Sequence, residues 1–534
     1  MAARDENETM PKVLIADKMS PRAAAVFAER GVEADVAVGL KPDELVARIG
    51  AYDGLAVRSA TRVTEAVMEA APALKVIGRA GIGVDNIDVN AATQRGVVVM
   101  NTPGGNSITT AEHALALMFA LARQIPAADR STQAGKWEKS RFMGVELTGK
   151  VLGIIGCGNI GSIVAERAQA LRMRVVAFDP FLTPERAQDL GVEKLTLDDL
   201  LARADFITLH VPLTDQTRGI IDAPALAKTR QGVRVINCAR GGLVVEEDLR
   251  AALDSGHVAG AALDVFAEEP ARANPLFGRE NVVATPHLGA STAEAQEKVA
   301  VEIAQQMSDY LLSGAIMNAL NMPSLTAEES ARLGPYMALA RQLGSFAGQL
   351  TQTGLKDARI EYEGQVSALN CRPLTQIALA GLLSPMLDSV NMVNAPVLAR
   401  ERNIGVTETK HERECDYQTL MRLTVTTERG PRCVAGTLFG GNKPRIVEIK
   451  GIPVEAELGA HMLYITNEDK PGLIGALGTT LSEAGVNIAT FHLGRVAPGH
   501  DAIALLEVDE AISPALLERV RALPHIKQAN ALRF

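Results

Sequence analysis

Three side chains of different chemistry stand where apolar runs end. The run VRVI, residues 233–236, gives way to Asn-Cys-Ala-Arg and two glycines, which puts Arg240 at a strand end. Glu269 follows the run that closes on Asp264, in DVFAEEP, and His287 follows VVATP. A guanidinium in such a position grips a carboxylate in a fork and polarises a neighbouring oxygen. A histidine near neutral pKa takes the proton of a hydroxyl as its carbon loses a hydride. A carboxylate on the ring's other nitrogen favours the charged form. The trio suits hydride transfer to or from a 2-hydroxy acid. Each member also has an ordinary reading: a helix-cap partner, a surface turn carboxylate and a structural histidine.

A hydride needs an acceptor. In VLGIIGCGNIG, residues 151–161, Gly156, Gly158 and Gly161 have GxGxxG spacing. The motif follows an apolar run and opens a helical stretch, and Asp179 ends the next run 18 residues past Gly161. These are the conditions of a dinucleotide-binding turn. Gly156 makes the turn, Gly158 lets backbone approach a pyrophosphate, and Gly161 lets helix and strand pack closely. The helix start offers amide donors and partial positive charge to the phosphates. Asp179 would accept from the ribose hydroxyls and repel a 2′-phosphate, so NAD is favoured over NADP. Its structural alternative is an N-cap before PFLTPER.

Ligands of open α/β sheets bind beyond the carboxyl ends of the strands. The elements carrying these residues must therefore form such a sheet. Residues 13–101 alternate apolar runs (VLIAD, GLAVR, KVIGRA, VVVMN) with turns and helical stretches. A helix from Thr110, TAEHALALMFALARQI, leads to a second set: VLGIIG, RVVAFD, EKLTL, FITLHV, VRVINCA, GAALDV and VVATPH. The alternation predicts two doubly wound parallel-sheet, Rossmann-like α/β domains. Val299, Ile303, Met307 and Leu311 recur at every fourth residue and predict an amphipathic helix. NALNMPSLTAEES reads as a boundary, and residues 326–455 as a mixed segment without a derivable motif. Residues 460–534 read strand, helix, strand, strand, helix, strand, the ferredoxin-like βαββαβ order.

The 534 residues suggest three or four domains, and 47% apolar with 22% charged residues suggests packed globular ones. A net charge of -9 supplies no global field for nucleic acid or an anionic membrane. The first ten residues lack the apolar core of a signal peptide. The longest apolar stretch, residues 114–122, is half of the ~18 a membrane span needs. Cys157, Cys238, Cys371, Cys415 and Cys433 are scattered, which argues against a disulfide framework, a zinc site or any other metal site. A cytoplasmic protein is expected.

GCGNIG with its aspartate, NCARGG, DVFAEEP and TPHLGAST resemble the D-isomer-specific 2-hydroxyacid dehydrogenases, and the Arg240–Glu269–His287 spacing matches that family's Arg-Glu-His set. LAVRSATRV, KVIGRAGIGVDNID, NTPGGNSITTAEHALALM, GKWEKSRFMG and VNAPVLARERNIGV narrow the resemblance to the long form of the D-3-phosphoglycerate dehydrogenase family. It covers the chain from about residue 12 onward. It implies a substrate-binding domain of residues 11–108 and 298–325 and an NAD-binding domain of 109–297. An α+β intervening domain of 326–457, like an allosteric substrate-binding domain, and an ACT domain of 460–534 would follow. Arg240 would bind substrate and take part in catalysis, Glu269 would orient, and His287 would be the acid/base.

The resemblance implies NAD contacts at Gly156, Gly158, Asn159, Ile160, Gly161, Asp179, Cys238, Ala239, Arg240, Asp264, His287, Gly289 and Ala290. Val211, where relatives often carry threonine, keeps backbone contacts. Arg58, Ser59, Arg79 and Asn106 would surround the substrate's phosphate and carboxylate. Lys139 stands where relatives often have an arginine reaching into a partner's site. The implied reaction is oxidation of 3-phospho-D-glycerate in a homodimer or homotetramer, with another D-2-hydroxy acid, such as 2-hydroxyglutarate or glycerate, as the alternative substrate. Asn467, Asp469 and Asn487 would bind an amino-acid effector, L-serine.

Overall fold

The computed structural model describes residues 10–411 and 416–534, so the acidic N-terminal residues 1–9 and Cys415 lie outside the described residues. Five parallel strands form the first sheet, in the order Glu33–Val36, Lys12–Ile15, Gly54–Val57, Val76–Arg79, Val98–Asn101. Four of them are the apolar runs of the sequence. The fifth, Glu33–Val36, is an edge strand of sequence EADV with no buried residue, so it carries no hydrophobic signal.

The second sheet has seven parallel strands. Their order is Val282–Ala284, Val258–Leu263, Val233–Asn237, Phe206–Leu209, Val151–Ile155, Arg174–Phe178, Glu193–Lys194. Phe206–Leu209 is buried at every position and Val151–Ile155 at all but the first, because helices cover both faces. The expected strand EKLTL shrinks to the exposed pair Glu193–Lys194 at the sheet's edge. Strand order reverses between Val151–Ile155 and Phe206–Leu209, and a crevice opens at such a switch point.

Two helices carry the chain between these sheets. Ser107–Ala122, which begins a turn before the expected Thr110, packs on helix Asn159–Ala170 and strand Val258–Leu263. Ala293–Ser313 returns to the first sheet, burying Val299, Ile303 and Met307. A Cβ on Gly78 would lie 2.2 Å from Met307 Sδ, so that glycine admits the helix. Truncating a buried methionine such as Met307 to alanine costs about 2–5 kcal/mol. The divisions expected at 108/109 and 297/298 fall inside these helices.

Beyond Thr326, which caps helix Ala327–Gln349 in a box with Glu329, lies a six-stranded sheet. Its order is Gly405–His411, Leu355–Gly364, Thr419–Thr427, Gly430–Phe439, Lys443–Ile449, Ile452–Ala456, parallel in the first pair and antiparallel thereafter. The last sheet is antiparallel, in the order Ile488–Arg495, Asp501–Val508, His461–Glu468, Ile526–Arg533, with helices Leu473–Glu483 and Pro514–Arg521. Its strands alternate. Leu463 and Ile465 face its own helices, whereas Met462 and Tyr464 join a core with Phe346, Ile452 and Val454 of the preceding module. The rings of Phe346 and Tyr464 meet edge to face at 5.7 Å.

Candidate active site

The turn after strand Val151–Ile155 gives each glycine its own reason. Gly156 has φ 92°, and a Cβ there would meet Val211 Cγ1 at 2.5 Å and the His210 carbonyl at 2.6 Å. A Cβ on Gly161 would press to 2.0 Å from the Gly156 carbonyl, so helix and strand touch only through glycine. Gly158, the helix N-cap, has nothing within 4 Å of a built Cβ. Asn159 beside it is exposed and Ile160 partly so, leaving the helix start open to an anion. Asp179 Oδ2 accepts from the Cys157 amide at 2.9 Å and Oδ1 from the Phe181 amide at 2.8 Å. Thr183, not Asp179, caps the following helix, so the N-cap reading of Asp179 is set aside. The chain's own residues fit a dinucleotide here.

At the adjacent strand end, Asn237 shapes the turn that carries Arg240. Its Oδ1 accepts from the Ala239 amide at 3.0 Å and its Nδ2 donates to the Arg240 carbonyl at 2.9 Å. Cys238 and Ala239 are buried under this turn, and burial pushes the Cys238 thiol far up. Cys157 is raised as well, by burial and then by Asp179, so neither thiol is a ready nucleophile. Arg240 leaves the turn toward the first sheet. Its Nη1 donates to the Ala239 carbonyl at 2.7 Å and its Nε to Asp85 at 3.1 Å. A Cβ on Gly83 would lie 1.8 Å from Arg240 Nη2, so only glycine leaves room for the fork.

Glu269 and His287 form a pair. His287 Nδ1 lies 2.7 Å from Glu269 Oε2, and Glu269 Oε1 accepts from the Phe266 amide at 3.0 Å. The hydrogen bond to Glu269 raises the His287 pKa against the opposing effect of burial. Burial works against ionisation of Glu269, but the bonds from His287 and Phe266 outweigh it and hold the carboxyl below its usual range. With Nδ1 engaged, Nε2 is left for substrate. Half of the His287 side chain is exposed.

The first sheet adds positive charge. Arg79 is largely buried, its Nε has no hydrogen-bond partner among the described residues, and its pKa is lowered to about 10. Burial is the main cause, followed by the charges of Arg240 and then Arg58. Three guanidinium groups thus converge, only partly offset by Asp85 and Asp17, and a cluster of this kind is a candidate anion site. The loop holding Arg58 and exposed Ser59 is tied down by buried Asp17, which accepts from the amides of Arg58, Ala60 and Thr61. Asn106 caps helix Ser107–Ala122 by position, with its Oδ1 buried and unpartnered among the described residues. Lys139 is exposed after helix Ile125–Gln133, and no hydrogen bond or ion pair joins it to the arginines among the described residues.

Asp264 is fully buried, and its carboxylate is spent on the loop that follows. It accepts from Thr285 Oγ1 at 2.6 Å and from the amides of Leu288 and Gly289 at 2.7 and 2.8 Å. Ala290 follows, half-buried. Sequence reasoning missed Asp17, Asp85, His113 and Asn237 as members of the site. Asp85 and His113 lie inside quoted signatures, but nothing in their spacing names their partners.

In the C-terminal sheet the three candidate effector residues have separate partners. Buried Asn467 donates to the Glu468 carbonyl, Asp469 pairs with Arg495 at 2.7 Å, and Asn487 donates to Asp509 at 2.8 Å. No described helix is long and apolar enough to cross a membrane, and no three described His, Cys, Asp or Glu residues gather as a metal site.

A doubly wound sheet with this turn at its switch point, beside an Arg–Glu–His set, defines an NAD-dependent dehydrogenase. The family model for the NAD-binding domain of D-isomer specific 2-hydroxyacid dehydrogenases matches residues 115–289. Models for the D-3-phosphoglycerate dehydrogenase intervening domain and for the ACT domain match residues 332–450 and 461–525. Curated D-3-phosphoglycerate dehydrogenases are 42% identical in Synechocystis sp., over 98% of this chain and 95% of that protein, and 42% in Bacillus subtilis, over 97% and 98%. The chain belongs to the D-3-phosphoglycerate dehydrogenase family. Among solved structures, a Thermus thermophilus protein matches with TM-score 0.54 and 35% identity, over 58% of this chain and 99% of that one. D-lactate dehydrogenase from Aquifex aeolicus, complexed with NAD and lactic acid, matches with TM-score 0.52 and 25% identity, over 58% and 100%.

Proposed function

We propose that the chain oxidises 3-phospho-D-glycerate to 3-phosphooxypyruvate, the first step toward L-serine, with Arg240, Glu269 and His287 as its catalytic set. Bound NAD would accept the hydride that leaves C2. Arg240 holds the substrate carboxylate and polarises the C2 oxygen. His287 Nε2 takes the hydroxyl proton, and Glu269 keeps the ring oriented and stabilises the imidazolium that forms. Arg79 and Arg58, with Ser59 and Asn106, hold the phosphate. Asp179 selects NAD through the ribose hydroxyls.

The observation that carries this reading is the His287–Glu269 pair with Arg240 near enough to act on the imidazole's charge and Arg79 and Arg58 beside Arg240. We assign substrate binding to residues 11–108 and 298–325, NAD binding to 109–297, and regulation to the two modules beyond. L-serine is the effector we propose, and cytoplasm the compartment. A homodimer or homotetramer is also part of the proposal. Trp137 is 87% exposed and Met143 79%, on the segment carrying Lys139, and such apolar exposure suits a subunit interface. The test is NADH oxidation with 3-phosphooxypyruvate against unphosphorylated 2-keto acids. A clear preference for the phosphorylated acid is expected; equal or better use of 2-oxoglutarate or hydroxypyruvate would shift the substrate to another D-2-hydroxy acid.

A further inference from the structure

His287 has φ 56°, in the left-handed region that residues other than glycine seldom occupy. Something must hold it there. Three consecutive amides return to one residue: His287 N donates to the Asp264 carbonyl at 2.9 Å, Leu288 N to Asp264 Oδ1 at 2.7 Å, and Gly289 N to Asp264 Oδ2 at 2.8 Å. The carboxylate that collects the last two has no solvent exposure.

Besides the Thr285 hydroxyl, which donates to Oδ1 at 2.6 Å, the Asp264 carboxylate meets a residue of a distant element. His113 Nε2 lies 3.2 Å from Asp264 Oδ1 and 3.2 Å from Thr285 Oγ1. The Thr285 hydroxyl gives its hydrogen to Asp264, so it accepts from His113, and the geometry assigns the proton to Nε2. His113 sits on helix Ser107–Ala122, which joins the two parallel sheets. Two other residues of the same helix face reach the same loop. Thr110 Oγ1 donates to the Gly289 carbonyl at 2.9 Å, and Thr109 Oγ1 lies 3.4 Å from Thr292 Oγ1. The helix begins at Asn106, on the substrate side. One helix therefore starts at Asn106, a proposed substrate residue, and grips the His287 loop along its side.

We infer that His113 is a positioning residue for the reaction: through Thr285 and Asp264 it fixes the carboxylate that holds the Leu288 and Gly289 amides, and with them the loop that keeps His287 in its left-handed conformation. The inference rests on His287 being the acid/base. His113 acts through the loop that carries His287, so its loss should act on turnover far more than on cofactor affinity.

The experiment compares H113L and H113Q with wild type, measuring kcat, substrate KM and the Kd of NADH. A side-chain amide of glutamine reaches the place of Nε2 and keeps the donor; leucine does not. Misplacing a catalytic group by an ångström costs up to about 100-fold. H113L should lose about 10- to 100-fold in kcat with NADH Kd within about twofold, and H113Q should stay within about threefold of wild type. The inference falls if H113L keeps wild-type kcat, if H113Q is as slow as H113L, or if NADH affinity falls in step with kcat. If H113L does not fold, T285V, which removes the hydroxyl between His113 and Asp264, carries the same reading: kcat must fall with NADH Kd retained, and an unchanged kcat overturns the inference. H287A separates the two levels. A fast H287A sinks the acid/base assignment, whereas a dead H287A beside a fully active H113L sinks only the role of His113.

Discussion

The 2.7 Å contact between His287 Nδ1 and Glu269 Oε2 displaces the two titrations in opposite directions. His287 is raised above its ordinary 6.5 by the bond to Glu269, and Glu269 stays below its ordinary 4.5 despite burial. The histidine's share of stability is fully present below 6.5 and fades as pH rises through the raised value. The carboxylate's share is present above 4.5 and fades as pH falls through the lowered value. Oxidation needs neutral His287, so its rate should rise with pH through the raised imidazole value. E269Q should move that limb toward lower pH. Measuring kcat/KM for oxidation across pH checks it, and a limb that stays in place would separate Glu269 from the histidine's charge.

Removing the ring tests the assignment directly. General acid–base help amounts to about 10²–10⁴-fold. His287→Ala should lose turnover in that range while NADH binding, followed by fluorescence titration, stays near wild type. A variant that keeps more than about a third of the wild-type rate would return the proton transfer to another group.

Both oxygens of Asp179 are already oriented by the amides of Cys157 and Phe181, so its charge is fixed beside the glycine turn. Asp179→Gly together with a nearby arginine should relax the preference for NADH over NADPH. Steady-state kcat/KM with each reduced cofactor gives the ratio. Equal use of both by the wild type would remove Asp179 from that role.

Much of this architecture was legible because burial writes itself into sequence. Phe206–Leu209 is apolar at three of its four positions because both faces are covered, and the strands from His461 onward alternate because one face meets helices and the other meets Phe346. Glu33–Val36 was hidden by its exposure at a sheet edge. The six-stranded sheet was hidden for another reason. Its strand Leu355–Gly364 pairs with Gly405–His411 across two helices, a relationship no local pattern encodes. In the site, Arg240, Glu269 and His287 announced themselves by type at strand ends. Asp264 was named at its strand end as a cofactor contact, but its hold on the following loop, and His113 beside it, were not legible, because those partners are backbone amides and side chains brought together only by the fold.

Arg79 is the most informative arginine of the cleft. Its guanidinium is buried, its Nε is unpartnered among the described residues, and Arg240 and Arg58 press on its charge. An anion would relieve all three. A charged hydrogen bond contributes about 1.5–3 kcal/mol, or roughly 10- to 150-fold in affinity. Arg79→Ala should weaken phosphorylated substrate by about that factor and spare an acid of glyoxylate size. Arg58→Ala should act in the same sense. KM values for both substrate classes decide it, and equal losses would move these arginines away from the phosphate.

Asp469 and Asn487 are engaged within their own chain, by Arg495 with the Gly499 amide and by Asp509. Arg495 holds the Asp469 carboxyl below its usual range, so it is ionised at neutral pH and able to meet an ammonium. Gly472, left-handed at φ 100°, starts the helix whose open amides suit a carboxylate. An amino acid bridging these groups, with Asn467 behind them, would exchange the internal partners for its own, most readily between two such modules. A ligand alters activity only through unequal affinity for two conformations, and typical coupling is about 1–3 kcal/mol. L-serine should therefore inhibit, and Asp469→Ala or Asn487→Ala should abolish inhibition while sparing basal turnover. Titrating serine against initial rate for wild type and both variants decides the matter: a wild type indifferent to millimolar serine would end the feedback proposal, and variants inhibited like wild type would place the effector elsewhere.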